Sequence, residues 1–187
     1  MNKRISAKRF DKTLKKVFFA INLPEKTRKK IFETYCKKFP QGVNAVKEQN
    51  IHITLLFLGY FPEEKINELK EKINEIKQEK FHAVISGINS FNSRVLFLEI
   101  KEGEKEISAL HEKICTKLEI TDNRFNSHIT IARNKKMNSM QFRELAEKLK
   151  KIHFEEKIEA KEFDLMESVL LPEGPDYKKN FSFSLND

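Results

Sequence analysis

The feature that most constrains this chain is a pattern that occurs twice. Val17–Leu23 (VFFAINL) is short, apolar and rich in aromatic and β-branched residues, and it stops at Pro24, as a buried strand leading into a helix would. Glu25–Phe39 has helical character, Ile51–Tyr60 (IHITLLFLGY) is a second strand, and Pro62 opens a helix in which Ile66, Leu69, Ile73 and Ile76 keep the 3.6-residue period. Phe81–Ile88 returns to strand. The second half repeats the order: strand at Val95–Ile100, helix at Glu104–Leu118, strand at His128–Ala132, helix at Gln141–Lys150 and strand from Phe154. Val17 to His52 spans 35 positions and Val95 to His128 spans 33. A repeat this long predicts two similar lobes packed about a pseudo-two-fold axis, not a solenoid. Phe163–Leu171 and Tyr177–Leu185, joined by the turn Pro172-Glu173-Gly174-Pro175, close the chain as a pair of strands.

The same tetrad stands at the same place in each half: His52-Ile53-Thr54-Leu55 and His128-Ile129-Thr130-Ile131. Strand alternation puts His and Thr on one face and the aliphatic residues on the other, toward a core. One such histidine is most simply a satisfied core residue. Two in duplicated positions, related by a pseudo-two-fold axis, predict two imidazoles and two hydroxyls around one cleft. A pair of groups titrating near pH 6.5 can divide the work of base and acid, which suits in-line displacement at phosphorus with Thr54 and Thr130 donating to the non-bridging oxygens. Arg133 could clamp the phosphate, but strict alternation sends it to the face opposite His128. That role therefore requires a twist, a bulge or a strand end near Ala132.

Other chemistries lack their signatures. Neither tetrad has a carboxylate or thiolate within three residues, so neither a metal nor any other cofactor is expected. No GxSxG motif and no glycine-rich phosphate loop occur. Cys36 and Cys115 lie far apart in helix-like segments, as buried or half-buried thiols would. His82, His111 and His153 have no Thr partner and are expected to be structural or solvated.

Charge narrows the partners. The net charge is +8, but residues 1 to 16 carry seven cations (Lys3, Arg4, Lys8, Arg9, Lys12, Lys15, Lys16) against Asp11, so that segment holds +6 and the body only +2. A body so nearly balanced binds nucleic acid through a local site or through the arm. The arm itself fits a solvated tail, an element that steers RNA, or an acid-poor transit segment. No run reaches the roughly 18 apolar residues of a membrane span and the N-terminus lacks a secretory signal, so a soluble, cytoplasmic monomer is expected, with no membrane partner. The expected organisation is an arm over residues 1–15 and one bilobal domain over 16–187, duplicated at about 16–90 and 91–187.

On these tetrads the chain resembles the 2H phosphoesterase superfamily, and within it the RNA 2′,3′-cyclic phosphodiesterases of the ThpR/LigT type. The resemblance runs from about Val17 to Leu185 and includes FFAINLP (Phe18–Pro24), NIHITLLFLG (Asn50–Gly59), FNSHITIAR (Phe125–Arg133) and the ending from Glu167-Ser168-Val169-Leu170 through Gly174 to Tyr177. The departures are Lys47-Glu48, where relatives often have Arg-Pro, and Asn126-Ser127 in place of a frequent Lys-Pro. The resemblance implies an α+β, bilobal fold, with two antiparallel sheets lining a central cleft and helices outside. It implies metal-independent hydrolysis of RNA or small-nucleotide 2′,3′-cyclic phosphates to 2′-phosphates. Carried onto this sequence, it makes His52 the proton donor and His128 the proton acceptor, two roles that pseudo-symmetry leaves nearly interchangeable. Thr54, Thr130 and Arg133 match phosphate-binding positions, and Phe57 or Tyr177 could stack a base. The alternatives are a 2′-5′ RNA ligase acting on tRNA halves and a nucleotide- or RNA-binding module without turnover.

Overall fold

The computed structural model describes residues 13–187, and the expectations for the basic arm fall largely on residues outside that range. Nine strands and four α-helices follow in the order β1 (Leu14–Asn22), α1 (Glu25–Thr34), β2 (Val43–Ala45), β3 (His52–Pro62), α2 (Ile66–Asn74), β4 (Phe81–Phe91), β5 (Val95–Glu102), α3 (Glu104–Leu118), β6 (His128–Asn134), α4 (Ser139–Lys150), β7 (Glu155–Ala160), β8 (Glu162–Leu171) and β9 (Gly174–Ser184). The helix expected over Glu25–Phe39 breaks at Tyr35 and continues only as a 3-10 turn, Cys36–Lys38. Phe39 precedes Pro40 and takes an extended conformation, which the proline ring favours over a helical one. Pro62 closes β3, and α2 begins only at Ile66, after a 3-10 turn. Lys15 already belongs to β1, where it bonds to both Glu63 and Glu167.

The strands form two antiparallel sheets, β3-β1-β8-β9 and β2-β6-β5-β4-β7, in an α+β fold. The pseudo-symmetry is plain in this order: β3-β1 corresponds to β6-β5, and in each sheet a strand from the other half of the chain lies next, β8 in one and β4 in the other. The two sheets therefore do not divide the chain near residue 90. Each half contributes two strands to its partner's sheet, β8 and β9 to the first and β2 and β4 to the second, which ties the lobes together through backbone hydrogen bonds. A single large core joins both sheets to the helices, with Phe19, Ile21, Ile53, Ile73, Ile107, Ile114, Ile129 and Phe142 essentially without solvent exposure. The other face of the first sheet carries a small apolar cluster of Phe18, Ala20 and Met166, with Tyr177 packed against it.

Gly103 makes the crossing from β5 into α3 possible. It has φ +83°, and a Cβ at this position would lie 2.4 Å from the carbonyl oxygen of His82, a contact only glycine avoids. Among the described residues no helix is long and apolar enough to cross a membrane.

Candidate active site

His52 opens β3 and His128 opens β6. Between the sheets lies a cleft of about 900 Å³ whose walls include both histidines, both threonines, Arg133, Phe57 and Tyr177. The five residues singled out from the sequence thus converge on one space.

Each imidazole is held by the carbonyl two residues before it. Nδ1 of His52 lies 2.7 Å from the oxygen of Asn50, and Nδ1 of His128 lies 2.7 Å from the oxygen of Asn126. A carbonyl can only accept, so both Nδ1 atoms carry the hydrogen, and both Nε2 atoms are left to exchange a proton with a ligand. Nε2 of His52 is 2.9 Å from Oγ1 of Thr54. Aromatic rings flank both imidazoles: Phe18 and Tyr177 at 5.1 and 5.4 Å from His52, Phe91 and Phe97 at 5.1 and 5.3 Å from His128. Burial holds the His52 pKa down at about 4, against the Asn50 carbonyl, which favours the cation; the nearby His128 lowers it further. His128 is also lowered, again chiefly by burial, with the Asn126 carbonyl opposing and the Arg133 charge adding to the fall.

The bulge that Arg133 required is present. In the β5–β6 pairing Leu96 meets Ala132 but Phe97 meets Thr130, so Ile131 is an extra residue. Ile131 and Ala132 are consecutive and both fully buried, after which the alternation resumes with Arg133 on the side of His128 and Thr130. An equivalent bulge occurs in β3: Phe19 meets Leu56 and Ala20 meets Thr54, leaving Leu55 unpaired. Leu55 and Leu56 are both buried, and Phe57 emerges into the cleft, 59% exposed. Phe57 and Arg133 are pseudo-symmetric mates, an aromatic ring on one side and a guanidinium on the other.

Sequence reasoning missed what supports these bulges. A bulge frees a carbonyl from the ladder, and here each freed carbonyl receives a side chain. His111, buried in α3, donates from Nδ1 to the oxygen of Leu55 at 2.8 Å, and its ring stacks 3.9 Å from that of Phe125, which lines the cleft. The Cys36 thiol reaches the oxygen of Ile131 at 3.6 Å, where the Val46 amide also donates. Cys36 and His111 lie 75 positions apart, almost the separation of His52 and His128, but their different residue types conceal the correspondence. Asn50 and Asn126, 76 apart, were visible as a matched pair; because their backbone oxygens do the holding, nothing in their side chains announced it. Among the described residues, no three His, Cys, Asp or Glu side chains gather as a ligand set for a metal.

The family model described as the 2′-5′ RNA ligase superfamily matches residues 24–170, and the chain belongs to that superfamily, a branch of the 2H phosphoesterases. It is 32% identical over 175 residues to the RNA 2′,3′-cyclic phosphodiesterase of Archaeoglobus fulgidus, covering 87% of this chain and 96% of that one. It is 31% identical over 171 residues to the enzyme of the same name from Methanocaldococcus jannaschii, with the same coverage of 87% and 96%. Among solved structures, Escherichia coli LigT complexed with phosphate superposes with a TM-score of 0.73 at 23% identity, over 94% of this chain and 99% of that one. TT0787 of Thermus thermophilus superposes at 0.73 and 27% identity, over 91% and 97%.

Proposed function

We propose that this chain is an RNA 2′,3′-cyclic phosphodiesterase that converts cyclic ends to 2′-phosphates with two histidines and no metal. The activity its relatives are named for supports the substrate class. The observation that carries the mechanism is the paired pinning of Nδ1 to a carbonyl, which points two Nε2 atoms into one cleft with a hydroxyl and a guanidinium beside them.

The cyclic phosphate sits between the imidazoles. His128, neutral, takes a proton from water through Nε2 as the water oxygen bonds to phosphorus; the P–O3′ bond breaks and Nε2 of His52 gives its proton to O3′. Thr54, Thr130 and Arg133 donate to the non-bridging oxygens, where charge accumulates. An empty cleft disfavours the His52 cation, so the anionic substrate itself must restore the charge this acid needs.

Incubating the protein with a 2′,3′-cyclic nucleotide in EDTA tests the activity: a 2′-phosphate product is expected, and a 3′-phosphate or a need for metal contradicts the proposal. His52→Ala and His128→Ala should each reduce turnover by roughly 100- to 10,000-fold, whereas a module that only binds would show no turnover to lose. A substrate with sulfur in place of O3′ separates the roles, because a thiolate departs without a proton. It should rescue His52→Ala but not His128→Ala; the opposite pattern exchanges the assignments.

A further inference from the structure

The two ends of the cleft differ in a way that pseudo-symmetry makes measurable. At the end beyond His52, its cross-strand neighbour Asn22 donates through Nδ2 to Oδ2 of Asp164 at 2.6 Å. Asp164 is wholly buried, and its other oxygen receives the Ser182 hydroxyl at 2.5 Å and Nζ of Lys179 at 3.0 Å. Both oxygens are engaged, and solvent does not reach them.

Beyond His128 the same pair recurs with amide and carboxylate exchanged. Glu99 is the cross-strand neighbour of His128, and Nδ2 of Asn89 donates to its Oε1 at 3.0 Å. The register is equivalent, since Asn89 faces Phe97 as Asp164 faces Ala20. Here nothing seals the carboxylate. Glu99 is exposed and borders a second cavity of about 490 Å³, walled by Ser86, Asn89, Phe91, Phe97 and Ser127 and sharing Asn126 with the main cleft. Two details mark the cavity as built. Gly87, at φ +88°, leaves room for the carboxylate, since a Cβ there would come within 2.8 Å of Oε2 of Glu99. The hydroxyl of Ser127, a residue 5% exposed, has no hydrogen-bond partner.

We propose that this cavity is a second nucleoside subsite, holding the base of a nucleoside whose 5′-hydroxyl enters on the His128 side of the phosphorus. The inference rests on the two-histidine function proposed above and deepens it. Glu104 also borders the cavity, with Lys101 as the one cation of its lining, so its net charge is negative; such a lining repels phosphate and accepts N–H and O–H groups, and the cavity suits the uncharged parts of a nucleotide. Its volume lies within the roughly 300–1,000 Å³ range of ligand pockets. Guanine matches best, because N1–H and the N2 amino group lie side by side and can meet one carboxylate, as exposed base edges do in single-stranded RNA recognition. The position is that of the attacking group, because the ribose bearing the cyclic phosphate leaves toward His52. In the reaction this allows, His128 takes the 5′-hydroxyl proton, P–O5′ forms, P–O3′ breaks, and the proton of His52 goes to O3′, giving a 2′-5′ linkage with no further reagent.

Wild-type protein and Glu99→Gln are incubated with 2′,3′-cyclic AMP and millimolar guanosine or inosine, and the ratio of 2′-5′ dinucleoside to 2′-phosphate is measured. Guanosine should be the better acceptor, inosine, which lacks the N2 amino group, should fall about tenfold below it, and Glu99→Gln should lower the guanosine ratio at least tenfold, as loss of a hydrogen bond to a charged group does. Hydrolysis without transfer overturns the inference alone, as does a transfer ratio that Glu99→Gln leaves unmoved, or a divalent cation at Glu99 that guanosine fails to displace. A wild-type protein that does neither reaction overturns the proposed function and this inference with it.

Discussion

Arg133 shows how one residue's role depends on its neighbour's backbone. Its guanidinium reaches the cleft only because Ile131 bulges, and its charge is felt by both His128 and Tyr177. Arg133→Ala should lower kcat/KM by about 100-fold, the scale of losing one donor to developing negative charge, and Arg133→Lys should recover only part, because an ammonium cannot span two phosphate oxygens. Steady-state kinetics on a cyclic nucleotide measure both. The histidines make a second prediction. Both pKa values are lowered, so the bell of kcat/KM against pH should be centred below 6.5, its two limbs belonging to the coupled pair and not to either ring alone. A centre above pH 7 would contradict the burial that causes the shifts. The tetrads themselves were legible because each keeps its chemistry in its side chains and its alternation in adjacent residues. The holding carbonyls of Asn50 and Asn126 were not, because a backbone oxygen has no residue type.

Elements explain what single residues leave open. The sequence reading left open whether the second strand bulges near Ala132 and raised no such break in the first, and the buried runs Leu55-Leu56 and Ile131-Ala132 are where alternation fails in both halves. In the sequence they resemble any aliphatic pair on a strand, so the bulges cannot be distinguished there from continuous pairing. The strand exchange was hidden for a similar reason: local periodicity places β4 and β8 as strands but carries no information on which sheet accepts them. The side chains that cap the bulges act across elements, with α3 supporting β3 through His111 and the turn after α1 supporting β6 through Cys36. His111→Phe keeps the ring against Phe125 but removes the donor to Leu55. It should lower kcat more than it lowers the melting temperature would suggest, because the displaced bulge moves Phe57 and Thr54. Gly103→Ala, in contrast, should cost stability and not chemistry, about 1–3 kcal/mol for a strained left-handed residue pressed on a carbonyl, readable by urea denaturation.

At the scale of the molecule, the site and the fold's stability are coupled through protonation. His52 is held near pKa 4 in the folded chain by burial, and the same ring in an unfolded chain titrates near 6.5. Between those values the unfolded chain binds a proton that the folded chain refuses, so stability from this group is present above pH 6.5 and is lost as pH falls toward 4. His128 acts in the same direction. The protein should therefore lose stability on acidification before most carboxylates protonate, and His52→Asn, which keeps a polar side chain without a proton to gain, should flatten the decline. Melting temperatures from pH 7.5 to 4.5 for the two proteins give the comparison. Parallel curves would show that His52 is as free to ionise in the fold as in water. A saturating nucleotide 2′-phosphate should flatten the wild-type curve as well, because its negative charge between the imidazoles restores the proton affinity that burial removes, and this would link the fold's acid sensitivity to the cleft itself.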